Sequence, residues 1–252
     1  MKILSSPAKL MSVEVHPFVN RMSTPKFIDE ASTIQKYLKE KTPNYLQKLM
    51  DISKKLADEN WERNQNWKAK PKAKESAPAL YAFKGEVYRA LDAESLDEKA
   101  VEYLQKNFRM LSGLYGMLKP SDKIMLYRLE MGRNFEFEKN KNLYQFWRER
   151  VTENFNKELK KNELILNLAS TEYFKVLDEK NLKGKVINFH FHELKSGKPK
   201  TITIYTKHAR GLMIRYCAEK TCKTLEDVKG FNYENYGFQE NMSSENNLVF
   251  VR

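Results

Sequence analysis

Four short apolar runs in this chain each end in a compact polar cluster, and that alternation narrows the fold more than any single motif. Ile3-Leu4 leads into Ser5-Ser6-Pro7-Ala8-Lys9, and Leu80 to Phe83 into Lys84-Gly85-Glu86-Val87-Tyr88. Leu164 to Leu166 leads into Asn167 to Lys175, and Ile202 to Thr206 into Lys207-His208-Ala209-Arg210-Gly211. Apolar runs of this length bounded by turn-forming residues read as strands, and in open α/β sheets the carboxyl ends of strands line the ligand crevice. The four clusters are therefore expected to meet in one cleft, and their lysines and arginines would make it cationic.

The segments between these runs carry helical spacing. Phe27, Ala31, Ile34 and Leu38 share one face of a helix over Phe27 to Lys41, and Leu46, Leu49, Ile52 and Leu56 one face over Tyr45 to Asn60. Thr42 suits an N-cap and Pro43 the first helical position, so an αα-hairpin is expected at about 27–60. A basic loop follows at 66–78, where Lys68, Lys70, Lys72 and Lys74 are mixed with Pro71 and Pro78. Ser95 with Glu98 reads as a capping box that opens a helix through Val101, Leu104, Phe108 and Leu111 to a stop at Gly113. Another helix covers Leu143 to Leu159, with Trp147, Val151 and Phe155 on one side. Strands are expected at Leu164 to Leu168, Lys185 to Glu193 and Lys200 to Thr206, the last two joined by a turn at Ser196-Gly197-Lys198. Ala209, Leu212, Met213, Tyr216 and Cys217 then recur at helical spacing, and Leu248 to Val251 is a terminal strand. The fold class is mixed α/β (α+β), with one sheet-based domain over residues 1–252.

A chain of 252 residues that is 41% hydrophobic and 12% aromatic can bury a substantial core. Its 45 Lys and Arg against 33 Asp and Glu give a net charge of +12, which suits either a polyanionic partner such as nucleic acid or a solvated lysine-rich surface. Cys217 and Cys222 read as part of one helical stretch, pointing to different faces, and thus as reduced thiols of a cytosolic protein rather than a disulfide. The amino-terminal segment turns polar too early for a secretory signal, and no eighteen apolar residues run together, so neither export nor a membrane span is expected.

Lys9, Lys84, Lys175, Lys207, Arg210 and Arg215 would crowd the cleft and require phosphate or carboxylate groups to balance them. Arg109 to Gly116 and Tyr127 to Gly132 form a second dense region, in which Arg128 and Glu130 share a face of an extended segment as an ion pair or an acid/base group. His190 and His192 alternate on a strand, but no third metal ligand at a recognised spacing accompanies them. No glycine-rich phosphate loop of Walker or Rossmann type is present, and no Ser-His-Asp or Cys-His arrangement can be assembled. The turn at Thr42 offers free helix N–H groups to a phosphate with Lys39, Lys41 and Lys48 nearby, although Thr42-Pro43-Asn44 lacks the glycines typical of a helix-hairpin-helix.

Taken together, these clusters resemble the YaaA peroxide-stress family. The matching segments are Ser6-Pro7-Ala8-Lys9, Phe83-Lys84-Gly85 with Val87-Tyr88, Arg109 to Gly116, Tyr127 to Gly132, Leu143 to Trp147, Asn167 to Ser170 with Glu172 to Lys175, and Ala209 to Met213. Leu10, His208 and Asn235 depart from the family pattern. The resemblance implies a cytoplasmic bacterial protein that supports survival of hydrogen peroxide and limits damage by unincorporated intracellular iron. It further implies binding of double-stranded and branched DNA through a helix-hairpin-helix, with Lys39, Lys41, Thr42 and Lys48 in contact. The alternative is an enzyme acting on a nucleotide, nucleobase or DNA lesion. Lys9, Glu130 and Tyr173 would then be its catalytic candidates, with Lys84, Arg109, Arg128, Asn167, Ser170, Lys175, Lys207, Arg210 and Arg215 around the ligand. Neither reading calls for a cofactor or a metal.

Overall fold

The computed structural model describes residues 1–14 and 22–252. Strand β1 (Lys2–Ser5) is followed by three helices, α1 (Ile28–Lys39), α2 (Pro43–Met50) and α3 (Lys54–Asn66). Next come β2 (Ala77–Pro78), α4 (Ala79–Ala82), α5 (Glu86–Leu91) and α6 (Glu98–Asn107). The middle of the chain holds β3 (Phe108–Ser112), β4 (Gly116–Leu118), β5 (Lys123–Ile124), α7 (Leu143–Glu158), β6 (Leu164–Asn167) and α8 (Thr171–Phe174). The last third holds β7 (Lys185–Lys195), β8 (Lys198–Lys200), α9 (Thr203–Glu219), α10 (Leu225–Lys229), β9 (Gly237–Phe238) and β10 (Asn247–Val251).

Eight of these strands make one sheet in the order β4-β3-β1-β6-β7-β10-β9, with β8 paired to β7. The five central strands, from β3 to β10, are parallel, while β4 and β9 run antiparallel at the edges. Parallel strands covered on both faces read as unbroken apolar runs, and Ile3, Leu4, Ile165 and Leu166 are accordingly buried. On β7 the pattern alternates instead: Phe189 and Phe191 point into the core, where both stack on Phe250, and His190 and His192 face outward. The chain passes from β1 to β3 on one side and later adds β6 on the other, so strand order reverses around β1. Such a switch leaves a crevice beyond the carboxyl ends of the strands, here past Ser5 and Asn167.

Tertiary packing overrides local propensity in several places. The helix expected over Tyr45 to Asn60 is two helices, because Asp51 turns left-handed at φ 53° and Ser53 caps a new start by accepting a hydrogen bond from Leu56 N. Thr42 and Pro43 do begin α2 as the sequence suggests, Thr42 accepting from Tyr45 N at 3.3 Å. However, α2 packs on α3 and α3 on α1, so the region is a three-helix arrangement and not a simple hairpin. The helix read from Ser95 to Gly113 starts two residues later, capped by Asp97, and ends at Asn107. Phe108 to Ser112 are all buried and pair with both β1 and β4, a sheet position that outweighs their helical spacing.

Two of the four expected strand runs are helical. Leu80 to Phe83 lies in and just after α4, whose residues are all buried. Ile202 to Thr206 opens α9, and Ile204 and Tyr205 project from its first turn into solvent. The turn before it is as expected: Ser196 and Gly197 both have positive φ, 52° and 71°, and join β7 to β8 as a two-residue hairpin loop. The basic segment 66–78 is laid against the core, with Trp67 and Ala77 buried and Lys68 paired to Glu75 at 2.9 Å. Among the described residues no helix is long and apolar enough to cross a membrane.

Candidate anion-binding cleft

The crevice beyond β1 and β6 is a cavity of about 430 Å³. Ser6 to Leu10 line it from the β1 loop, Gly85 to Tyr88 from the start of α5, and Tyr127 to Glu130 from the segment after β5. Leu168, Ser170, Glu172 and Tyr173 come from the β6 loop and α8, and Lys207 and Arg210 from α9. The loops are tied to one another directly. Ser6 Oγ accepts from Ser170 N at 2.9 Å, and Tyr88 donates its hydroxyl proton to Ser6 O at 2.8 Å. Gly113 lets the segment after β5 approach: a Cβ there would lie 2.2 Å from Leu129 O.

Glu130 organises one wall. It is buried, and its Oε1 faces Lys9 Nζ at 3.3 Å and Arg128 Nη2 at 3.2 Å. Its Oε2 has Arg133 Nε at 3.7 Å, an ion pair too long for a hydrogen bond. The opposite wall is different. Arg210 and Lys207 stand one turn apart on α9, and neither has an ion-pair partner among the described residues. Arg210 Nε is fully shielded and unbonded, and burial lowers the guanidinium's affinity for its proton. Three tyrosines between the walls stay protonated. Burial raises Tyr88, Tyr127 and Tyr173 well above the ordinary phenol range, and the Glu172 and Glu130 carboxylates push Tyr173 further the same way. None of the three can serve as a base; Tyr88 donates its hydroxyl proton to Ser6 O and Tyr127 is bonded to Ser112 Oγ at 2.7 Å, which leaves Tyr173 as the one of the three able to donate to an anion.

Of the residues singled out from sequence, Lys9, Arg128, Glu130, Ser170, Tyr173, Lys207 and Arg210 meet in this cleft. Lys84 does not; its ammonium donates to Glu94 at 2.7 Å. Arg109 turns back onto the carboxyl end of α6, donating to Gln105 O and Phe108 O, and pairs with Glu158. Asn167 donates across the sheet to Asn188 at 2.8 Å and accepts from Ala169 N. Lys175 rests over the Tyr144 ring in a separate groove, and Arg215 binds Asp92, Ser95 and Glu219. Elsewhere, Lys39 donates to Trp67 O, Lys41 lies over the Tyr45 ring at 5.0 Å, and Thr42 and Lys48 are exposed on α2. His190 is bonded to Asn247 and His192 to Thr201.

The profile of the family described as peroxide stress protein YaaA matches residues 1–242 of this chain. The chain belongs to that family. It is 48% identical over 252 residues to a UPF0246 protein of Flavobacterium johnsoniae, covering the full length of both. A UPF0246 protein of Flavobacterium psychrophilum is 46% identical over the full length of both chains. One from Legionella pneumophila is 42% identical, over all of this chain and 99% of its own length.

In this YaaA-family protein the cleft has supports that sequence reasoning did not identify. Arg133 was missed although it lies three residues beyond Glu130, across a turn in which its N–H donates to Glu130 O at 3.3 Å, and Glu86 and Tyr88 lie in the Lys84 to Tyr88 cluster without an assigned role. His208, beside Lys207, is clamped between two carboxylates, with Nδ1 2.8 Å from Glu86 Oε1 and Nε2 2.7 Å from Glu234 Oε1. Glu234 in turn pairs with Arg252, so the clamp ties α5 and α9 to the end of the chain. Burial alone would lower the imidazole's proton affinity, but hydrogen bonds to Glu234 and Glu86 outweigh it and raise the pKa above 6.5. A histidine whose pKa is raised by folding stabilises the native state fully below the unfolded value and loses that contribution as pH climbs through the folded one. The stability gap between wild type and His208→Gln should therefore be wider at about pH 6 than at about pH 9 in thermal melts. Equal gaps would show that charge plays no part in the clamp.

Proposed function

We propose that this peroxide-stress family member holds a phosphate-bearing ligand of nucleotide type in the cleft, with Arg210 and Lys207 gripping the phosphate. The observation that carries the reading is Arg210: a largely buried guanidinium with an unbonded Nε and no carboxylate beside it among the described residues. A buried charge is costly unless paired, and the planar fork of a guanidinium matches phosphate. Tyr173 adds a neutral donor, Lys9 and Arg128 a second cationic wall, and a cavity of about 430 Å³ is within the usual range for small-ligand sites. In this reading Glu130 holds the cations of that wall in place, and a chemical step on the ligand would draw on Lys9 or Tyr173.

A second reading puts DNA against the exposed turn at Thr42 and Lys48, with Lys39 and Lys41 behind it. It rests on the net charge of +12 and on a first turn of α2 that has no acidic residue. Shielding of DNA phosphates in the cytoplasm would then be how the protein limits damage from unincorporated iron. One titration separates the two. Wild type and Arg210→Ala are compared by calorimetry with nucleoside monophosphates, inorganic phosphate, and duplex and branched DNA at low and high salt. Nucleotide affinity should fall at least about tenfold in the variant, the cost of one charged hydrogen-bonding group. Failure of every nucleotide and of phosphate to bind wild type, or equal binding by both proteins, removes the cleft reading. Salt-sensitive DNA binding that ignores Arg210→Ala would favour the second.

A further inference from the structure

The two cysteines do not diverge as an uninterrupted helix would require. Helix α9 ends at Glu219, and Thr221 takes a left-handed conformation at φ 49°. Cys222 N then donates to Cys217 O at 3.0 Å and Thr221 N to Ala218 O at 3.2 Å. This nested pair of bonds is a Schellman motif, which folds the residue after the left-handed position back onto the side chain five residues earlier. Cys217 and Cys222 occupy those two positions. Both are buried, and each thiol bears on the other's proton affinity. Threonine is an unfavourable residue for the left-handed region and persists there only when its surroundings impose it. Here Tyr103 adds a third restraint by donating its hydroxyl proton to Cys222 O at 2.6 Å.

We propose that Cys217 and Cys222 form a redox-active dithiol, a modification site that a hydroperoxide converts to an intrachain disulfide. The Cys222 sulfur attacks one peroxide oxygen; the O–O bond breaks, the outer oxygen leaves as water or alcohol, and Cys222 becomes a sulfenic acid. The Cys217 sulfur then attacks the Cys222 sulfur, the S–O bond breaks, and the hydroxyl leaves as water with the proton from Cys217. The two thiols together lose two electrons and two protons, and the hydroperoxide gains them. Cys222 is the natural first site. The neighbouring Cys217 thiol lowers its pKa, whereas the Cys222 thiol and burial raise Cys217 well above the ordinary thiol range. Cys222 also lies in the short turn between Lys220 and Lys223, both exposed, while Cys217 is inside the helix packing.

The folded, full-length protein is exposed to hydrogen peroxide, alkylated and digested with trypsin. The free-thiol titre should fall from two per chain to none, and the intact mass by two hydrogens. Cleavage after Arg215, Lys220 and Lys223 leaves the cysteines on separate peptides, 216–220 and 221–223, which should stay joined until dithiothreitol releases them. In Cys217→Ser, dimedone should trap a sulfenic acid on Cys222; in Cys222→Ser, Cys217 should stay reduced. Thiols that survive peroxide in the wild-type protein, or added oxygen without the crosslink, would overturn the proposal. So would oxidation of Cys217 in Cys222→Ser at the wild-type rate.

Discussion

Placing a methyl group on Gly211 is expected to cost the protein about 3 kcal/mol and to lower its melting temperature by roughly 10 °C. A Cβ at this position would lie 2.1 Å from Val87 O and 2.7 Å from the Ala90 Cβ. The first of these atoms is backbone and cannot rotate aside, so α5 and α9 must separate. Alanine normally stabilises a helix relative to glycine, but only by about 1 kcal/mol, too little to offset the clash. The two helices carry opposite parts of the cleft, Gly85 to Tyr88 on one and Lys207 with Arg210 on the other, so Gly211→Ala should also weaken ligand binding. Denaturant titration of the two proteins measures the first effect. A variant as stable as wild type would mean that the α5–α9 contact yields freely and does not set the width of the cleft.

The class of fold was legible because its evidence is local. β1, β6, β7, α7 and β10 each show in the sequence as a short apolar run or a clear helical stripe, and each forms within a residue or two of the expected place. What escaped notice depends on partners distant in sequence. Phe108 to Ser112 has helical spacing with the residues before it, and only pairing with Ile3 to Ser5 on one side and Gly116 to Leu118 on the other makes it a strand. Thr201 to Thr206 has the composition of a strand, yet it forms the lead-in and first turn of a helix whose later turns pack against α5 and β7. The break at Asp51 and the left-handed Thr221 have no glycine to announce them.

The cleft was legible in outline for a related reason. The β1 and β6 loops lie at the point where strand order reverses, so their polar residues meet through topology alone. The α5 and α9 contributions arrive by a route the sequence did not suggest, as helix turns rather than strand ends, and the residues still converge. Counting cations overstated the site. Arg109, Lys84 and Arg215 are drawn away by helix-end carbonyls or by carboxylates whose proximity exists only in the folded chain. The two cations lining the cleft that have no ion-pair partner among the described residues, Lys207 and Arg210, define the site better than the total charge does.

Removal of the Glu130 carboxylate provides the second large expected effect. Glu130→Ala should destabilise the protein by about 3 kcal/mol, because breaking a buried pair strands the remaining charge. That charge is chiefly Arg128, whose side chain is only 14% exposed and whose Nε already lacks a hydrogen-bond partner. Lys9, 60% exposed, can turn to water and adds little. Glu130→Gln keeps the volume and one acceptor and should cost roughly half as much. Ligand binding should respond differently from stability. With the counter-charge gone, Lys9 and Arg128 attract an anion more strongly, so Glu130→Gln should bind a phosphate-bearing ligand at least as well as wild type. Thermal melts alongside calorimetry read both quantities on one preparation. If Glu130→Gln melted like wild type and yet lost binding, the carboxylate would have to contact the ligand itself, and its part in the cleft would change from support to direct participation.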